Sequence, residues 1–338
     1  MKILVTGGLG FIGSHTVVEL QQQGFEVVIV DNLSNSSIEV LDGIIRITNK
    51  RLIFEQLDVR EKQSIENLFQ KHQDIEGVIH FSASKAVGES VENPLLYYEN
   101  NINSLVYLLQ QMQKKENSFF IFSSSCTVYG QAEKMPITES FPVQSAMSPY
   151  GNTKQIGEEI ITDVAKVSSI NAILLRYFNP VGAHKSVEIG ELPLGVPQNL
   201  VPFITQTASG IRKELSVFGN DYPTPDGTCI RDYIHVVDLA KAHVKALQRL
   251  INRENSEKVE TFNLGTGKGS SVLEVINAFE KVSGLKLPYK IVSRREGDIT
   301  EAYADTTKAN EVLGWKAELS LEEALFSAWM WEQKISKR

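Results

Sequence analysis

The stretch Lys2-Ile3-Leu4-Val5-Thr6-Gly7-Gly8-Leu9-Gly10-Phe11-Ile12-Gly13 decides how the rest of the chain is read. A short β-branched run ends in glycines and passes straight into a segment of helical period, so a strand, a tight turn and a helix follow one another. Gly8, Gly10 and Gly13 match the pattern G-x-G-x-x-G, and Gly7, Gly10 and Gly13 equally match G-x-x-G-x-x-G. Glycines there allow a tight turn and bring backbone N–H groups up to a diphosphate, whose charge then sits at the positive end of the helix. Strand-like runs at Glu26 to Val30, Arg51 to Phe54, Gly77 to Phe81, Ser118 to Ser123 and Asn171 to Arg176 then alternate with helical segments. One such segment opens at Pro94, carries Leu95, Ile102, Leu105, Leu109 and Met112 at helical spacing, and ends at Lys114-Lys115, where cations suit a last turn. This alternation predicts an α/β fold of βαβ units around a doubly wound parallel sheet. From about residue 179 Pro and Gly become frequent and the alternation lapses. We therefore expect a dinucleotide-binding domain over 1–178 and a smaller, mixed α/β C-terminal substrate domain over 179–338, with Thr261 to Leu264 returning to the first.

At 338 residues and 42% hydrophobic content the chain suits about two domains of ~150 residues. Lys and Arg number 34 against 41 Asp and Glu, a net charge of −7 without long runs of one sign, which argues against a nucleic-acid partner. The two cysteines, Cys126 and Cys229, are too few for a disulfide framework and suit a reducing compartment. The apolar run at the start is too short for a signal-peptide core, and no segment approaches the ~18 apolar residues of a membrane span, so a soluble, cytoplasmic protein is expected. His15, His72, His80, His184, His235 and His243 show no metal-ligand spacing, and no metal is expected; His80 and His235 read as strand histidines.

The second strand ends at Asp31, where a carboxylate accepts from both ribose hydroxyls of an adenosine and repels a 2′-phosphate. No Lys or Arg lies between Asp31 and Ile45 to compensate such a phosphate, so the glycine turn and Asp31 together point to a Rossmann-type domain that binds NAD rather than NADP. Asp58, near the end of the third strand, is either an adenine contact or a turn carboxylate. Downstream, Pro149 suits a first helical position, and Tyr150 and Lys154 then fall one turn apart on one helix face. A phenol titrates near ~10, too high for a base at neutral pH, but an adjacent ammonium favours the phenolate. Ser123-Ser124-Ser125 ends a strand at the side of the sheet where ligands bind, so a hydroxyl there either relays a proton to the tyrosine or satisfies strand-end backbone groups.

Through the glycine turn, Asp31, the set Ser125, Tyr150 and Lys154, and Val128-Tyr129-Gly130, the chain resembles the extended short-chain dehydrogenase/reductases over essentially its whole length. Asp31 to Ser36, Arg176 to His184, Gly219 to Thr224 and Arg231 to Val236 narrow the resemblance to the UDP-galactose 4-epimerases. That resemblance implies a homodimer paired through the segments Leu95 to Met112 and Tyr150 to Val167. It implies an isomerase in which tightly held NAD takes a hydride from carbon 4 of a UDP-hexose, a tyrosine takes the hydroxyl proton, and the 4-keto sugar turns over before both return. Tyr150 would be the base, Ser125 the relay and Lys154 the ribose-binding cation. Gly7, Gly10, Phe11, Ile12, Gly13, Asp31, Asn32, Leu33, Ser34, Asn35, Ser36, Asp58, Val59, Phe81, Ser82, Ala83, Ser84, Lys85, Asn100 and Phe178 would line NAD, with Ser125, Tyr150 and Lys154 closing its nicotinamide end. Lys85, Ser125, Tyr150, Asn179, Asn199, Leu200, Arg231, Arg295 and Asp298 would meet the nucleotide sugar, the two arginines at its phosphates.

Ala302 holds the position where members restricted to glucose and galactose carry a tyrosine, which predicts that the pair UDP-N-acetylglucosamine and UDP-N-acetylgalactosamine is accepted too, unless Tyr303 swings into the space. A 4-epimerase working mainly on the N-acetylhexosamines, and a non-catalytic NAD-sensing relative, are the alternatives; an intact Ser125, Tyr150 and Lys154 argues against the second. Related 4,6-dehydratases carry Asp-Glu, and decarboxylases a glutamate, where this chain has Cys126-Thr127.

Overall fold

The computed structural model describes residues 1–295 and 298–337. In chain order its elements begin with β1 (Lys2–Thr6), α1 (Phe11–Gln22), β2 (Glu26–Asp31), α2 (Glu39–Thr48), β3 (Ile53–Gln56), α3 (Lys62–Lys71), β4 (Ile75–His80), α4 (Val87–Glu92), α5 (Pro94–Met112), β5 (Phe119–Ser125), α6 (Pro149–Val167) and β6 (Asn171–Tyr177). There follow β7 (Asn179–Val181), α7 (Leu200–Ala208), β8 (Leu215–Phe218), β9 (Ile230–Arg231), β10 (Tyr233–His235), α8 (Val236–Ile251), β11 (Val259–Leu264), β12 (Ser270–Ser271), α9 (Val272–Ser283), β13 (Tyr289–Val292), β14 (Glu301–Ala302), α10 (Thr307–Glu311) and α11 (Leu321–Ile335).

Seven strands pair in parallel in the order β11-β6-β5-β4-β1-β2-β3, a doubly wound Rossmann-type sheet. Helices cover both faces, which is why β5 is buried at every residue from Phe119 to Ser125. One face packs β-branched side chains such as Ile3, Val5 and Ile29 against α1 and α8; the other packs Leu4, Val28 and Phe120 against α3, α5 and α6. The strand order reverses between β1 and β4, so the crevice at their carboxyl ends is the place such a sheet offers to a ligand. The second lobe has no large sheet. Short pairs β10-β7 and β13-β8 and the triplet β12-β9-β14 surround a core of α7, α9 and α11 built on Ile204, Phe279, Leu325 and Trp329.

Some boundaries differ from the sequence reading. Helix α5 stops at Met112, so Lys114 and Lys115 lie beyond its last turn; they donate instead to Gln111 Oε1 at 2.9 Å and to the Gln73 carbonyl at 2.7 Å. Strand β3 starts at Ile53 rather than Arg51, because pairing with β2 begins at Val28 opposite Ile53 and Arg51 is exposed.

Candidate active site

The glycine turn shows why its residues must be small. Gly7 has φ +66°, and a Cβ there would lie 2.9 Å from the Ser82 nitrogen, where the loops after β1 and β4 meet across the switch point. At Gly13 a Cβ would lie 2.2 Å from the Gly7 carbonyl oxygen, so only glycine lets α1 start this close to the turn. Gly8 is confined as well, since a Cβ there would lie 2.9 Å from Ile29 Cγ2, so the turn needs small residues at Gly7 and Gly8 alike. Gly10 caps α1 without a side-chain hydrogen bond, which leaves the helix's first N–H groups, from Phe11 onward, for an anion. Asp31, at the end of β2, is 7% exposed and is oriented by the Leu9 N–H at 3.1 Å, the Leu33 N–H at 3.0 Å and the Ser36 hydroxyl at 2.7 Å. The arrangement fits a dinucleotide: a close-approach turn, a helix start free of its own side-chain cap, and a fixed carboxylate one strand away.

Around this cradle, the Asn32 amide and the Arg60 guanidinium both bind the Asp58 carboxylate, the latter at 2.6 Å, and hold it down to about 2. Val59 is buried beside it. Ser34 folds back on the Asn32 oxygen at 2.7 Å, and Leu33 is one of the few non-glycine residues with positive φ, which turns the Asn32–Ser36 loop. After β4, Phe81 packs on His243, with centroids 4.7 Å apart. The Ser82–Lys85 loop is held by two asparagines: Asn100 donates to the Ser84 hydroxyl at 2.7 Å, and Asn101 accepts the Ser84 N–H at 2.8 Å while donating to the Ser84 carbonyl and to Thr153. Asn101 escaped the sequence reading, although an Asn-Asn pair facing a loop of small residues was a usable signal.

The catalytic candidates meet at the end of β5. Ser148 caps α6 through the Gly151 N–H, Pro149 occupies the first turn, and Tyr150 and Lys154 rise on one face of the helix. The Tyr150 phenol lies near Ser125, whose hydroxyl accepts the Thr127 N–H at 3.2 Å and so starts the short 3₁₀ turn Cys126–Tyr129. Lys154, 4% exposed, donates to the Ser123 carbonyl at 2.7 Å, and its Nζ lies 5.0 Å from the centroid of Phe122 and 5.8 Å from that of Tyr150. Burial dominates the titration of both groups: it pushes Tyr150 up to about 12, against the nearby Ser125 hydroxyl, and Lys154 down to about 8, against the charge of Glu158.

Behind the site lies a buried network that sequence reasoning missed. Glu158, the next turn of α6 after Lys154, receives Ser124 Oγ at 2.5 Å and the Arg176 Nε at 2.9 Å. Arg176 lies over the Tyr129 ring at 4.8 Å, and the Tyr129 hydroxyl donates to Asn263 Oδ1 at 2.6 Å. Ser123 bonds the Tyr177 hydroxyl. The three serines thus have three different partners, and only Ser125 faces Tyr150. A carboxylate one turn past Lys154 was visible in the sequence, but its partner on β6 was not.

On the other side of the cleft, Arg231 pairs with Asp298 at 3.1 Å, and Arg295 stacks on Phe218 with its guanidinium carbon 4.5 Å from the ring centroid. Arg294 stacks on Tyr222 and binds Asp221. Glu296 and Gly297, which complete the Arg295 to Asp298 motif, lie outside the described residues. Asn179 enters β7 and gives its N–H to the Asp232 carbonyl, whereas Asn199 and Leu200 open α7. Asn199 reaches Glu191, which also pairs with Lys85. Ala302 is 3% exposed, in a buried apolar cluster with Cys126, Val128, Phe178 and Ala304. Tyr303 points the other way along the strand, its ring 3.1 Å from where a Gly269 Cβ would sit.

A family model described as GDP-mannose 4,6 dehydratase matches residues 4–327. The UDP-glucose 4-epimerase of Bacillus subtilis (strain 168) is 51% identical over 333 residues, covering 98% of this chain and 97% of that protein. The crystal structure of UDP-glucose-4-epimerase from Stenotrophomonas maltophila, with bound NAD and formylated UDP-arabinopyranose, superposes with a TM-score of 0.95 at 48% identity, covering 100% of this chain and 99% of that one. The UDP-Glc/GlcNAc 4-epimerase of Campylobacter jejuni gives a TM-score of 0.84 at 34% identity, covering 98% of this chain and 99% of the other. Matched along nearly its whole length, the chain belongs to the family that the dehydratase model describes and, within it, to the UDP-glucose 4-epimerases.

Proposed function

We propose that the protein interconverts UDP-galactose and UDP-glucose by reversible epimerisation at carbon 4, with NAD as a resident cofactor. The observation that carries this reading is the meeting of Tyr150, Ser125 and Lys154 at the carboxyl end of β5, beside the glycine cradle and Asp31. Gly7, Gly10 and Gly13 with the start of α1 would hold the pyrophosphate, Asp31 the adenosine ribose, and Lys154 the other ribose. Bound NAD supplies the acceptor that takes a hydride from carbon 4 and returns it, and its cationic ring favours the phenolate form of a neighbouring phenol. Tyr150 takes the proton of the carbon 4 hydroxyl as the C–H bond yields its hydride, and gives the proton back when the 4-keto sugar is reduced on its other face. Ser125, near the phenol, would keep that path aligned. Burial alone pushes Tyr150 up, so the charge of the resident nicotinamide ring is what would make the phenol a base.

The broader family includes 4,6-dehydratases, whose water elimination needs an additional acid and base. Here the corresponding positions hold Cys126, whose thiol burial pushes up to about 11, and Thr127, whose Oγ1 is buried without a partner. Neither serves as a carboxylate, and this favours epimerisation. On the sugar side we infer that the N-acetylhexosamine pair is also accepted. Ala302 offers only a methyl to its apolar cluster, and Tyr303 faces Gly269 on the opposite side of the strand. The Campylobacter jejuni protein, by its name, handles both kinds of sugar. We further infer a cytoplasmic homodimer. Two free cysteines suit a reducing compartment, and Val91 and Leu95, 62% and 79% exposed on α4 and α5, are apolar side chains that a partner's helices would cover. Among the described residues no helix is long and apolar enough to cross a membrane.

Proton NMR of the purified protein, incubated separately with UDP-galactose and UDP-N-acetylgalactosamine, tests the reading. Conversion of both is expected. Conversion of UDP-galactose alone would remove the acetamido specificity and keep the mechanism; conversion of neither, even with added NAD, would overturn the epimerase reading.

A further inference from the structure

Glu191 lies in the loop between β7 and α7, and its surroundings fix it unusually well. The preceding segment turns back on itself, with Ala183 bridged to Gly190 and the His184 N–H donated to the Ile189 carbonyl. Glu188 is held by Arg46 of α2 and Lys334 of α11, each at 2.7 Å, and Ile189 is buried in the core of the first lobe. The Trp331 ring packs so closely on Gly190 that a Cβ there would lie 2.5 Å from its Cγ, and the Trp331 indole N–H donates to the Glu191 carbonyl at 2.7 Å. The backbone of Glu191 is therefore clamped from behind, and its carboxylate reaches between a residue of each lobe. There Oε1 receives the Asn199 amide at 2.8 Å from the second lobe, and the Lys85 ammonium lies 3.8 Å away on the loop that follows β4 of the first. Burial raises the Glu191 carboxyl, and Lys85 and Asn199 oppose the shift.

We propose that Glu191 is a positioning residue of the nucleotide-sugar site, holding Lys85 and Asn199 from the two sides of the cleft in the orientations in which they meet substrate. The inference rests on the reading of those two residues as substrate contacts. A carboxylate only accepts, so it turns the Asn199 NH2 inward and the amide oxygen outward. Asn199 then offers an acceptor to a sugar hydroxyl, a role a free amide would give up to either orientation. Lys85 is half exposed, and the carboxylate restrains a long side chain that would otherwise roam. Both effects act before the reaction, on binding, because Tyr150, Ser125 and Lys154 depend on other partners.

The test compares wild type with Glu191→Gln, which keeps the shape, removes the charge and lets the side chain donate to Asn199. The expected result is a KM for UDP-galactose raised about tenfold with kcat within about twofold, the size of one misaligned polar contact. Calorimetric titration with UDP-glucose should show the same fold-loss in affinity. Combined with Lys85→Met and Asn199→Ala, Glu191→Gln should add nothing, since its partners are gone. A fall in kcat at unchanged KM, no effect on either, or a full additional loss in that double background would overturn the proposal. If Glu191→Gln does not fold, Glu191→Asp, which keeps the charge but withdraws it, should show the same split in smaller measure. If wild type turns over no UDP-hexose, the proposed reaction is wrong while the calorimetric comparison still decides the role of Glu191. If wild type also binds no UDP-glucose, both fall.

Discussion

The two sides of the cleft are built by different means. On the first lobe, the groups that face the cofactor site stand at the ends of neighbouring parallel strands: Gly7 after β1, Asp31 on β2, Ser82 after β4 and Ser125 on β5. Their spacing is set by a hydrogen-bonded sheet buried on both faces. On the second lobe, Arg231, Arg295, Asp298 and Ala302 come from short strands and loops held by one ion pair, ring stacking and a two-residue pairing of β14 with β9. A sheet gives fixed distances, whereas loops on a small core give surfaces that single substitutions reshape. Chemistry common to a family belongs on the first kind of support, and discrimination between sugars on the second.

The sharpest way to break this contrast is Tyr150→Phe. It removes one hydroxyl, near Ser125, and leaves the ring packed edge-on against Tyr97 at 6.5 Å. Epimerisation followed by NMR should fall by about 10²–10⁴-fold with little change in thermal midpoint. An unchanged rate would show that the rigid lobe does not carry the chemistry. Next in size is Glu158→Ala, which strands the Arg176 guanidinium where both side chains of the pair are 9% exposed. Removing one partner of a buried pair costs about 3–5 kcal/mol, and urea unfolding should show it. A loss under about 1 kcal/mol would mean that Arg176 finds its support in the Tyr129 ring instead.

A third prediction uses pH. Burial lowers His15 and His80 to about 3 and His235 and His243 to about 4, from an ordinary value of 6.5. Because the folded values lie below the unfolded one, the stabilisation is complete above 6.5 and is lost as pH falls toward 4, where the unfolded chain binds protons that the folded one refuses. Each group should cost about 1–2 kcal/mol by pH 5. His15, His80 and His243 sit in α1, β4 and α8 of the sheet lobe. Acid should therefore loosen the rigid side first, and hydrogen exchange at pH 7 and pH 5 would show whether amides of β1 and β4 lose protection ahead of those of α9 and α11.

The same contrast governs what could be read from the sequence. Strands, the glycine turn, Asp31 and the Ser125, Tyr150, Lys154 set were legible because each depends on residues close along the chain, or on a strand end whose position the alternation already implies. Three things were not. The turn could be read in two registers, and both Gly7, with its positive φ, and Gly8, where a Cβ would lie 2.9 Å from Ile29, prove to need a small residue. Tyr150 and Lys154 could be placed on one helix face, but their spacing told nothing of the Ser123 carbonyl that accepts a hydrogen bond from Lys154, nor of the burial around both groups. Glu158 and Glu191 were missed because the partners that give them meaning, Arg176, Lys85 and Asn199, reach them only through the fold.

The smallest effect tests the adaptable side. Ala302 pairs with Arg231 across β14 and β9, and its methyl packs in an apolar cluster with Phe178 and with Cys126, the residue after Ser125. Ala302→Tyr fills that side of the pocket without touching Tyr150 or the glycine cradle. If the methyl leaves room for a 2-acetamido group, kcat/KM for UDP-N-acetylgalactosamine should fall at least about tenfold, while that for UDP-galactose stays within about threefold, a difference of at least about 0.7 kcal/mol in discrimination. Equal losses on both sugars would mean that the new ring disturbs the cluster as a whole, and the cluster would then be as rigid as the sheet. No loss on either would mean that the tyrosine turns away as Tyr303 does, and that the register placing Ala302 at the sugar is wrong. Only a selective loss keeps the division between a lobe that fixes the reaction and a lobe that chooses its substrate.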